Sequence, residues 1–517
     1  MWVSDRLLLD YQRCDRRAFL DLWGDRTAKD PPSDYLRKLH QDTQLHRQQV
    51  LATHTYITPT YPDQAWQAGA EATAALMAQG VDTIHQPVLL YVEADISFLS
   101  QPDLLVKYAS PSRWGEWAYR PVSIRLGKRP KLDYQMVAAF QAYLLAQVQA
   151  TPPDTALVIL REKGTYAVDL EVRLPQLQEI LQSCVTMLRS RQQPEVFISR
   201  NRCELCHWFS HCYALAQQQQ HLSLLPGVTP NRYSHLQAVG IASLEALAQI
   251  SPFQLAKCTG FDPAIAVKLV RQAQATLYQQ PILITDELQA HRPLNRSEVY
   301  ATTDWPASCF PSSSVADTLP RALTLPAAPV EFYFDVEAEP DLNVTYLHGV
   351  LIVDRTQRTE SFHSLLAEQV GAEVQVWQRF LALVERYPNA PIFHFCPYEV
   401  QVVQQLAQAY ATPPALIQQL LPRFVDIHAW VTRTVTLPIE NYALKSIARW
   451  LGFNWRDADA NGAQSVCWYN QWLQTGDRRY LEAIQRYNED DCRATYHVKQ
   501  WLAEFIAHRS GRQLTTG

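Results

Sequence analysis

Four cysteines, unevenly divided along the chain, constrain its fold more than any other feature. Cys14 stands near the N-terminus, and Cys203, Cys206 and Cys212 follow much later as C-x2-C-x5-C. Three thiols at this spacing can converge on one soft centre, either tetrahedral zinc or an iron-sulfur cluster, and a fourth ligand from the other end of the domain would complete the set. The spacing therefore predicts a domain whose beginning and end are held together. The alternative is a set of buried, unpaired cysteines.

Length and composition limit the class of protein. A chain of 517 residues is too long for one hydrophobic core, so we expect two to four domains. The sequence has no apolar run of about 18 residues, and residues 1–6 lack a basic-then-apolar secretory pattern, so we expect a cytoplasmic protein without a membrane segment. Its ten cysteines then favour metal ligation over disulfides. The net charge of -5 excludes a uniformly basic nucleic-acid binder but allows local basic patches.

Residues 1–220 read as a first α/β domain. Segments 86–95, 103–108 and 156–160 are rich in branched and aromatic residues, as strands require, and 132–148 reads as a buried helix.

Residues 221–285 form a different, all-helical pattern. Short helical segments alternate with glycines at Gly227, Gly240 and Gly260, in the sequences Pro-Gly-Val, Val-Gly-Ile and Thr-Gly-Phe. This pattern resembles tandem helix-hairpin-helix modules, in which backbone N–H groups meet a phosphate. The alternative is a plain helical domain with glycine C-caps. Residues 286–328 are rich in Pro, Ser and Thr and are predicted to be a linker.

Residues 329–517 predict an α/β domain with a mixed sheet. Strand-like segments at 330–337, 345–353, 391–395 and 424–427 are interrupted by helical stretches.

Acidic residues mark three places in this last domain. Asp335 and Glu337 are two apart on a strand, so their side chains share a face and repel each other unless a cation lies between them. Tyr487 and Asp491 are four apart and share a face if the segment is helical. Glu399 follows a strand end. A single acid pair is more often a solvated face than a metal site, whereas three such motifs in order favour the metal site.

This order of motifs resembles the ribonuclease-H-like exonucleases of the DnaQ type, in their tyrosine variant and closest to the YprB-like branch. The resemblance implies a 3'-5' exonuclease-type domain in which four acids hold two Mg²⁺ or Mn²⁺ ions. The implied ligands are Asp335, Glu337, Glu399 and Asp491. Tyr487 would orient the attacking water, Glu399 stands where the superfamily usually has Asp, and Asp426 matches a recurring acid that we interpret as supporting rather than ligating.

The cysteine arrangement resembles the RecB-like nucleases that carry a [4Fe-4S] cluster and have the PD-(D/E)xK restriction-endonuclease-like fold. The resemblance implies a cluster, with zinc as the alternative, on Cys14, Cys203, Cys206 and Cys212. Asp103, in Gln-Pro-Asp, fits the first part of the PD-(D/E)xK motif, and His46 stands where several members have a metal-binding histidine, although a lone histidine is more often structural.

The second part of that motif is degraded. Ser123 and Arg125 occupy the acid and lysine positions, and serine is a poor Mg²⁺ ligand while arginine stays protonated. A replacement acid, Glu116 or Asp133, is not required by the spacing. We therefore expect a nuclease fold that binds nucleic acid without cutting it. The candidate phosphate contacts, for which a solvated charged face is the alternative, are Arg120, Arg125, Lys128, Arg129 and Lys131.

The sequence thus favours a metal-dependent nuclease, specifically an exonuclease, with catalysis in the C-terminal domain and DNA favoured over RNA. The rival hypothesis is a non-catalytic nucleic-acid-binding adaptor in DNA repair or defence, in which both nuclease sites have decayed. Strand preference, pathway, protein partners and oligomeric state stay open.

Overall fold

The computed structural model describes residues 1–162, 164–284, 324–369 and 371–513. The chain divides into two compact units, Met1–Gln219 and Gln220–Gly517. The linker predicted at 286–328 lies outside the described residues, apart from its last five positions.

Eight helices are described in the first unit. They are α1 (Asp5–Arg13), α2 (Asp15–Trp23), α3 (Asp34–Leu51), α4 (Trp66–Ala78), α5 (Leu132–Gln149), α6 (Leu170–Ser190), α7 (Arg200–Cys203) and α8 (Phe209–Gln218). Helix α5, which matches the predicted helix, is buried on nearly all sides because apolar residues such as Met136, Phe140 and Leu144 surround its axis. A helix of this kind belongs at the centre of a domain.

Two sheets accompany these helices. The strands are β1 (Trp2–Ser4), β2 (Thr83–His85), β3 (Leu89–Glu93), β4 (Ile96–Ser100), β5 (Leu104–Ser112), β6 (Gly115–Arg125), β7 (Ala156–Leu160) and β8 (Gly164–Val168). A five-stranded sheet has the order β2-β5-β6-β7-β8, with β6 and β7 parallel, and a three-stranded sheet has the order β1-β4-β3. The strands expected near 86–95, 103–108 and 156–160 are therefore present, the first as the shorter β3.

The second unit begins with four short helices. They are α9 (Pro230–Ala238), α10 (Leu244–Gln249), α11 (Pro252–Thr259) and α12 (Pro263–Tyr278). Gly240, between α9 and α10, and Gly260, after α11, have φ values of 77° and 72°, a left-handed backbone that glycine adopts without strain. The short strand β9 (Ile282–Leu283) follows.

The rest of the second unit is a mixed sheet with helices. The strands are β10 (Val330–Glu339), β11 (Val344–Asp354), β12 (Thr359–Leu366), β13 (Ile392–His394), β14 (Phe424–Asp426) and β15 (Val435–Thr436). The sheet order is β12-β11-β10-β13-β14. β11 is antiparallel to both β10 and β12, whereas β13 runs parallel to β10 and to β14. The mixed sheet predicted for this region is confirmed. β15 pairs with β9 and so joins the helical segment to this domain within the unit.

Seven helices are described in this part. They are α13 (Glu373–Glu385), α14 (Tyr398–Ala409), α15 (Pro414–Leu420), α16 (Ile427–Thr434), α17 (Leu444–Trp450), α18 (Gly462–Thr475) and α19 (Arg478–Gln513). Buried residues of α19, including Ala494, Val498 and Leu502, pack with Tyr333 and Leu351 of the central strands. Across the described residues, none of the helices combines the length and apolar character that a membrane crossing requires.

Candidate active site and cysteine cluster

Three carboxylates converge where α19 crosses the centre of the mixed sheet. Asp335 and Glu337 are on the central strand β10, and Asp491 is on α19. One oxygen from each lies within 4.8 Å of the others. The i, i+2 spacing places the first two on one face of the strand, and the packing of α19 brings the third. Carboxylate oxygens at this separation are suitable ligands for a divalent cation.

Glu399 lies beside this triad but outside the 4.8 Å group. It is buried in the first turn of α14, close enough for its charge to raise the pKa values of Asp335 and Glu337. Its Oε2 is 3.4 Å from His394 Nδ1, but that nitrogen donates to the Cys396 carbonyl at 2.6 Å. Among the described residues, Glu399 Oε2 therefore has no hydrogen-bond partner.

Asp426 has a different role. Its Oδ1 accepts hydrogen bonds from the backbone N–H of Cys396 and of Ala429, both at 3.1 Å, and so caps α16. A carboxylate used in this way stabilises the helix and the β13–α14 connection. This placement agrees with the supporting role suggested for Asp426.

Neighbouring side chains donate hydrogen bonds to the triad. The Tyr487 hydroxyl is hydrogen-bonded to Asp491, and Trp455 Nε1 donates to Asp491 Oδ1 at 2.7 Å. On the other side, Asn488 Nδ2 donates to Asp335 Oδ2 at 2.6 Å. Neither Trp455 nor Asn488 was predicted from the sequence. Asn488 lies between Tyr487 and Asp491 in the sequence, so its place in that motif could have indicated a role at the site. Trp455 lies in a distant loop, where no sequence pattern indicated a contact with Asp491.

The electrostatics of the site are dominated by burial and by the mutual repulsion of the acids. Burial and the neighbouring carboxylates raise the pKa of Asp335 well above its ordinary range and raise the pKa of Glu337 to about 8. Burial raises the pKa of Asp491 to about 7, although hydrogen bonds and the charge of Lys445 oppose the shift. A divalent cation would restore the charged form of all three acids.

The four cysteines also come together, in the first unit. Burial is the largest cause of every shift and raises the pKa of Cys203 to about 11. The pKa of each cysteine is also raised by the charge of at least one other in the set, so the sulfurs are electrostatic neighbours. Two other contacts join the same parts of the chain. Arg202 Nη1 donates to the Arg13 carbonyl at 3.2 Å, and His207 Nε2 lies 2.7 Å from Asp21 Oδ1. The two ends of the domain are thus held together.

N–H groups point at the sulfurs. The backbone N–H of Arg17 donates to Cys14 Sγ and that of Ser199 donates to Cys203 Sγ, each at 3.4 Å. The Arg16 side chain is hydrogen-bonded to Cys212. Such donors stabilise thiolates, which are the form that binds metal.

At the expected nuclease centre of the first unit, the candidate residues Asp103 and Ser123 contact other protein groups. Asp103 Oδ1 lies 2.9 Å from Arg47 Nε, and its Oδ2 accepts from the backbone N–H of Ile124 at 2.7 Å. Ser123 is fully buried and donates to Gln141 Oε1 at 2.8 Å. Asp103 is therefore neutralised by protein groups, and Ser123 is occupied as a donor.

The other candidates near this centre are scattered. His46 is buried, its pKa is lowered by burial, and its Nε2 has no hydrogen-bond partner among the described residues. Asp133 forms an ion pair with Arg13 at 2.9 Å, and Glu116 is exposed. Neither replacement acid completes a metal site.

Part of the predicted basic stretch is used in ion pairs within the first unit. Arg120 is 3.0 Å from Asp154, and Lys128 is 2.6 Å from Glu162. Arg125 instead lies beside the ring of Tyr134, as does Lys131, at 5.9 Å and 6.0 Å from the ring centroid. Lys131 is exposed, whereas Arg125 is only partly exposed and its Nε is buried.

Comparison with known families bears on the C-terminal region. The RNase_H_2 family model, of the RNase_H superfamily, matches residues 332–503, a span that contains all the acids and the tyrosine of the candidate site. No curated protein matches the chain. The C-terminal region of the chain is therefore ribonuclease-H-like.

Proposed function

We propose that this protein is a metal-dependent nuclease, and specifically an exonuclease, that hydrolyses phosphodiester bonds in its ribonuclease-H-like domain. The observation that carries the proposal is the convergence of Asp335, Glu337 and Asp491, whose oxygens lie within 4.8 Å of one another. Acids arranged in this way raise one another's pKa, and a bound divalent cation would stabilise their charged forms.

The proposed ligands are the triad and Glu399, whose buried Oε2 has no other partner among the described residues. Two Mg²⁺ or Mn²⁺ ions held there would supply an activated water and a counter-charge for the leaving oxygen. Burial and the nearby carboxylates raise the pKa of Tyr487, so its hydroxyl stays protonated. Because Asp491 holds that hydroxyl, Tyr487 can orient a water by hydrogen bonding but cannot act as its base.

The first unit and the short helices are proposed to hold the nucleic acid, with DNA favoured over RNA. In the first unit, the buried Ser123 and the paired Asp103 leave no acid pair for Mg²⁺, which supports binding without cleavage. Arg125 and Lys131 supply cations for phosphate contacts. The left-handed glycines after α9 and α11 support the helix-hairpin-helix assignment of 221–285.

The four cysteines are proposed to bind a [4Fe-4S] cluster. Their proximity, their burial and their N–H donors fit a thiolate-ligated group. No three of these sulfurs, all within the described part of the chain, lie within 4.8 Å of one another. Thiolates around one zinc ion, with Zn–S bonds of about 2.3 Å, would be about 3.8 Å apart. A cluster, in which each thiolate binds its own iron, is compatible with sulfurs that are farther apart than this.

The rival is a non-catalytic adaptor in DNA repair or defence. The loss of acid-x-Lys at Ser123 and Arg125 favours it for the first unit, whereas the intact carboxylates of the second unit oppose it.

A nuclease assay separates the two. Full-length protein, purified anaerobically, is incubated with Mg²⁺ or Mn²⁺ and end-labelled single- and double-stranded DNA and RNA. We expect stepwise shortening of a labelled strand, which Asp335→Ala abolishes and Ser123→Ala leaves unchanged. Absence of cleavage on every substrate, together with tight binding, would instead establish the adaptor. The absorption of the same sample tests the cofactor: a broad visible band indicates the cluster, and a colourless sample containing zinc contradicts it.

A further inference from the structure

Asn488 is fully buried between the two carboxylates of β10. Its Nδ2 donates to Asp335 Oδ2 at 2.6 Å, and a hydrogen bond from it also lowers the pKa of Glu337 against the larger effects of burial and Asp491. The amide orientation follows from this environment, because the reversed amide would direct Oδ1 at two acids. One neutral carboxamide thus contacts both strand carboxylates without adding charge.

The remaining oxygen of Asn488 faces Gly349. Gly349 is the cross-strand partner of Asp335 on β11, and its backbone is not in the left-handed region, so alanine could adopt the same conformation. A Cβ at this position, however, would overlap Asn488 Oδ1 and lie 2.8 Å from its Cγ. A glycine is therefore required at position 349, because a side chain there would collide with the Asn488 side chain.

We infer that Asn488 is a positioning residue that holds Asp335 and Glu337 in their metal-binding arrangement, and that Gly349 is the residue that admits it. The inference rests on the proposed metal-dependent function of the same site. Without the Nδ2 donor, the two acids lose the shared group that fixes their orientation while their mutual repulsion remains. Partners that orient metal ligands typically contribute about 10–100-fold in metal affinity.

The test is a calorimetric Mn²⁺ titration of the metal-stripped, full-length protein and its variants. We expect Asn488→Ala, and Asn488→Leu with its similar shape but no donor, to weaken Mn²⁺ binding by about 10–100-fold. The matched control is Gln485→Ala on the same helix, which removes a carboxamide that donates to Ser364 Oγ at 2.8 Å outside the triad. That variant should bind Mn²⁺ like the wild type.

A second readout distinguishes positioning from a merely structural role. If Asn488 positions the ligands, saturating Mn²⁺ restores most of the nuclease kcat of Asn488→Ala. A protein that is only poorly folded would not recover. Gly349→Ala should weaken Mn²⁺ binding in the wild-type background and add little in the Asn488→Ala background, because the two residues act through one contact.

The outcomes separate this inference from the proposed function. Wild-type protein that binds no Mn²⁺ overturns both. Wild-type protein that binds Mn²⁺, with Asn488→Ala binding equally well, overturns the positioning role alone. Fully additive effects of Gly349→Ala and Asn488→Ala overturn the assignment of Gly349.

Discussion

The two acid-containing centres of this chain differ in whether protein groups balance the charge of their carboxylates. In the first unit, the carboxylate of Asp103 is balanced by Arg47 and by a backbone N–H. In the second unit, Asp335, Glu337 and Asp491 face one another, and Lys445 is the cation whose charge reaches Asp491. A metal ion adds little stability to a carboxylate whose charge the protein already balances, whereas it strongly stabilises a group of carboxylates that repel one another. The balance of charge therefore indicates function better than the presence of an acid does.

The largest difference between the centres should be in catalysis. Asp491→Ala removes one of the three converging carboxylates. The rate of nucleic-acid cleavage should fall by more than about 100-fold, because loss of a metal ligand costs more than loss of a residue that only orients a ligand. Ser123→Ala removes only a buried hydrogen bond to Gln141 and should leave the rate unchanged. Initial rates on one labelled substrate measure both. Equal losses in the two variants would place catalysis in both units.

The second difference is in how stability depends on pH. Burial and repulsion raise the pKa of Glu337 to about 8, against an ordinary value of about 4.3. Between these values the folded protein retains a proton that the unfolded chain has released, so stability falls as pH rises through this window. In metal-free buffer, Glu337→Gln should therefore melt at least about 3 °C above the wild type at pH 8 and close to it at pH 4.

Two controls accompany this melting experiment. Saturating Mn²⁺ should remove the advantage of Glu337→Gln, because the cation then stabilises the wild-type carboxylate. A variant that melts below the wild type at pH 8 without metal would show that Glu337 is already neutralised by the protein.

A third difference concerns the cost of removing an acid. Asp103→Ala leaves the Ile124 N–H without its acceptor and Arg47 without its ion-pair partner, and it should destabilise the first unit by about 1–3 kcal/mol. The matched control is Asp154→Ala, which breaks the more exposed pair with Arg120 and should cost less than about 1 kcal/mol. Denaturant unfolding of each variant measures the free energies, and a stabilising Asp103→Ala would contradict the pairing.

The smallest effect is expected from a single donor to the triad. Trp455→Phe keeps a buried ring but removes the 2.7 Å hydrogen bond to Asp491. Because the Tyr487 hydroxyl still contacts that acid, Mn²⁺ affinity should fall by about tenfold at most. A titration of this variant beside Asn488→Ala ranks the two donors, and a larger loss from Trp455→Phe would reverse the importance assigned to them.

Local spacing explains which parts of the molecule could be predicted. The shared face of Asp335 and Glu337, and that of Tyr487 and Asp491, follow from the periods of a strand and a helix, so the sequence alone could pair them. Helix α5 and the strands of the mixed sheet were recognisable for the same reason. The RNase_H superfamily match over 332–503 supports the resemblance drawn from those motifs.

Contacts between distant elements were not predictable from local patterns. The pairing of Asp103 with Arg47 depends on how α3 approaches the loop before β5, and the donation by Trp455 depends on how a loop packs against α19. Gly349 resembles an unremarkable strand residue until Asn488 is placed against it. The cluster, the helix-hairpin-helix modules and the RecB-like ancestry of the first unit stay predictions.

The most direct test of the contrast between the centres is Mn²⁺ binding by calorimetry, using the metal-stripped, full-length wild type and the variants Asp335→Asn and Asp103→Asn. The account predicts that the wild type and Asp103→Asn bind Mn²⁺ alike, and that Asp335→Asn loses most of the affinity. Loss of binding in Asp103→Asn, with binding retained in Asp335→Asn, would contradict it.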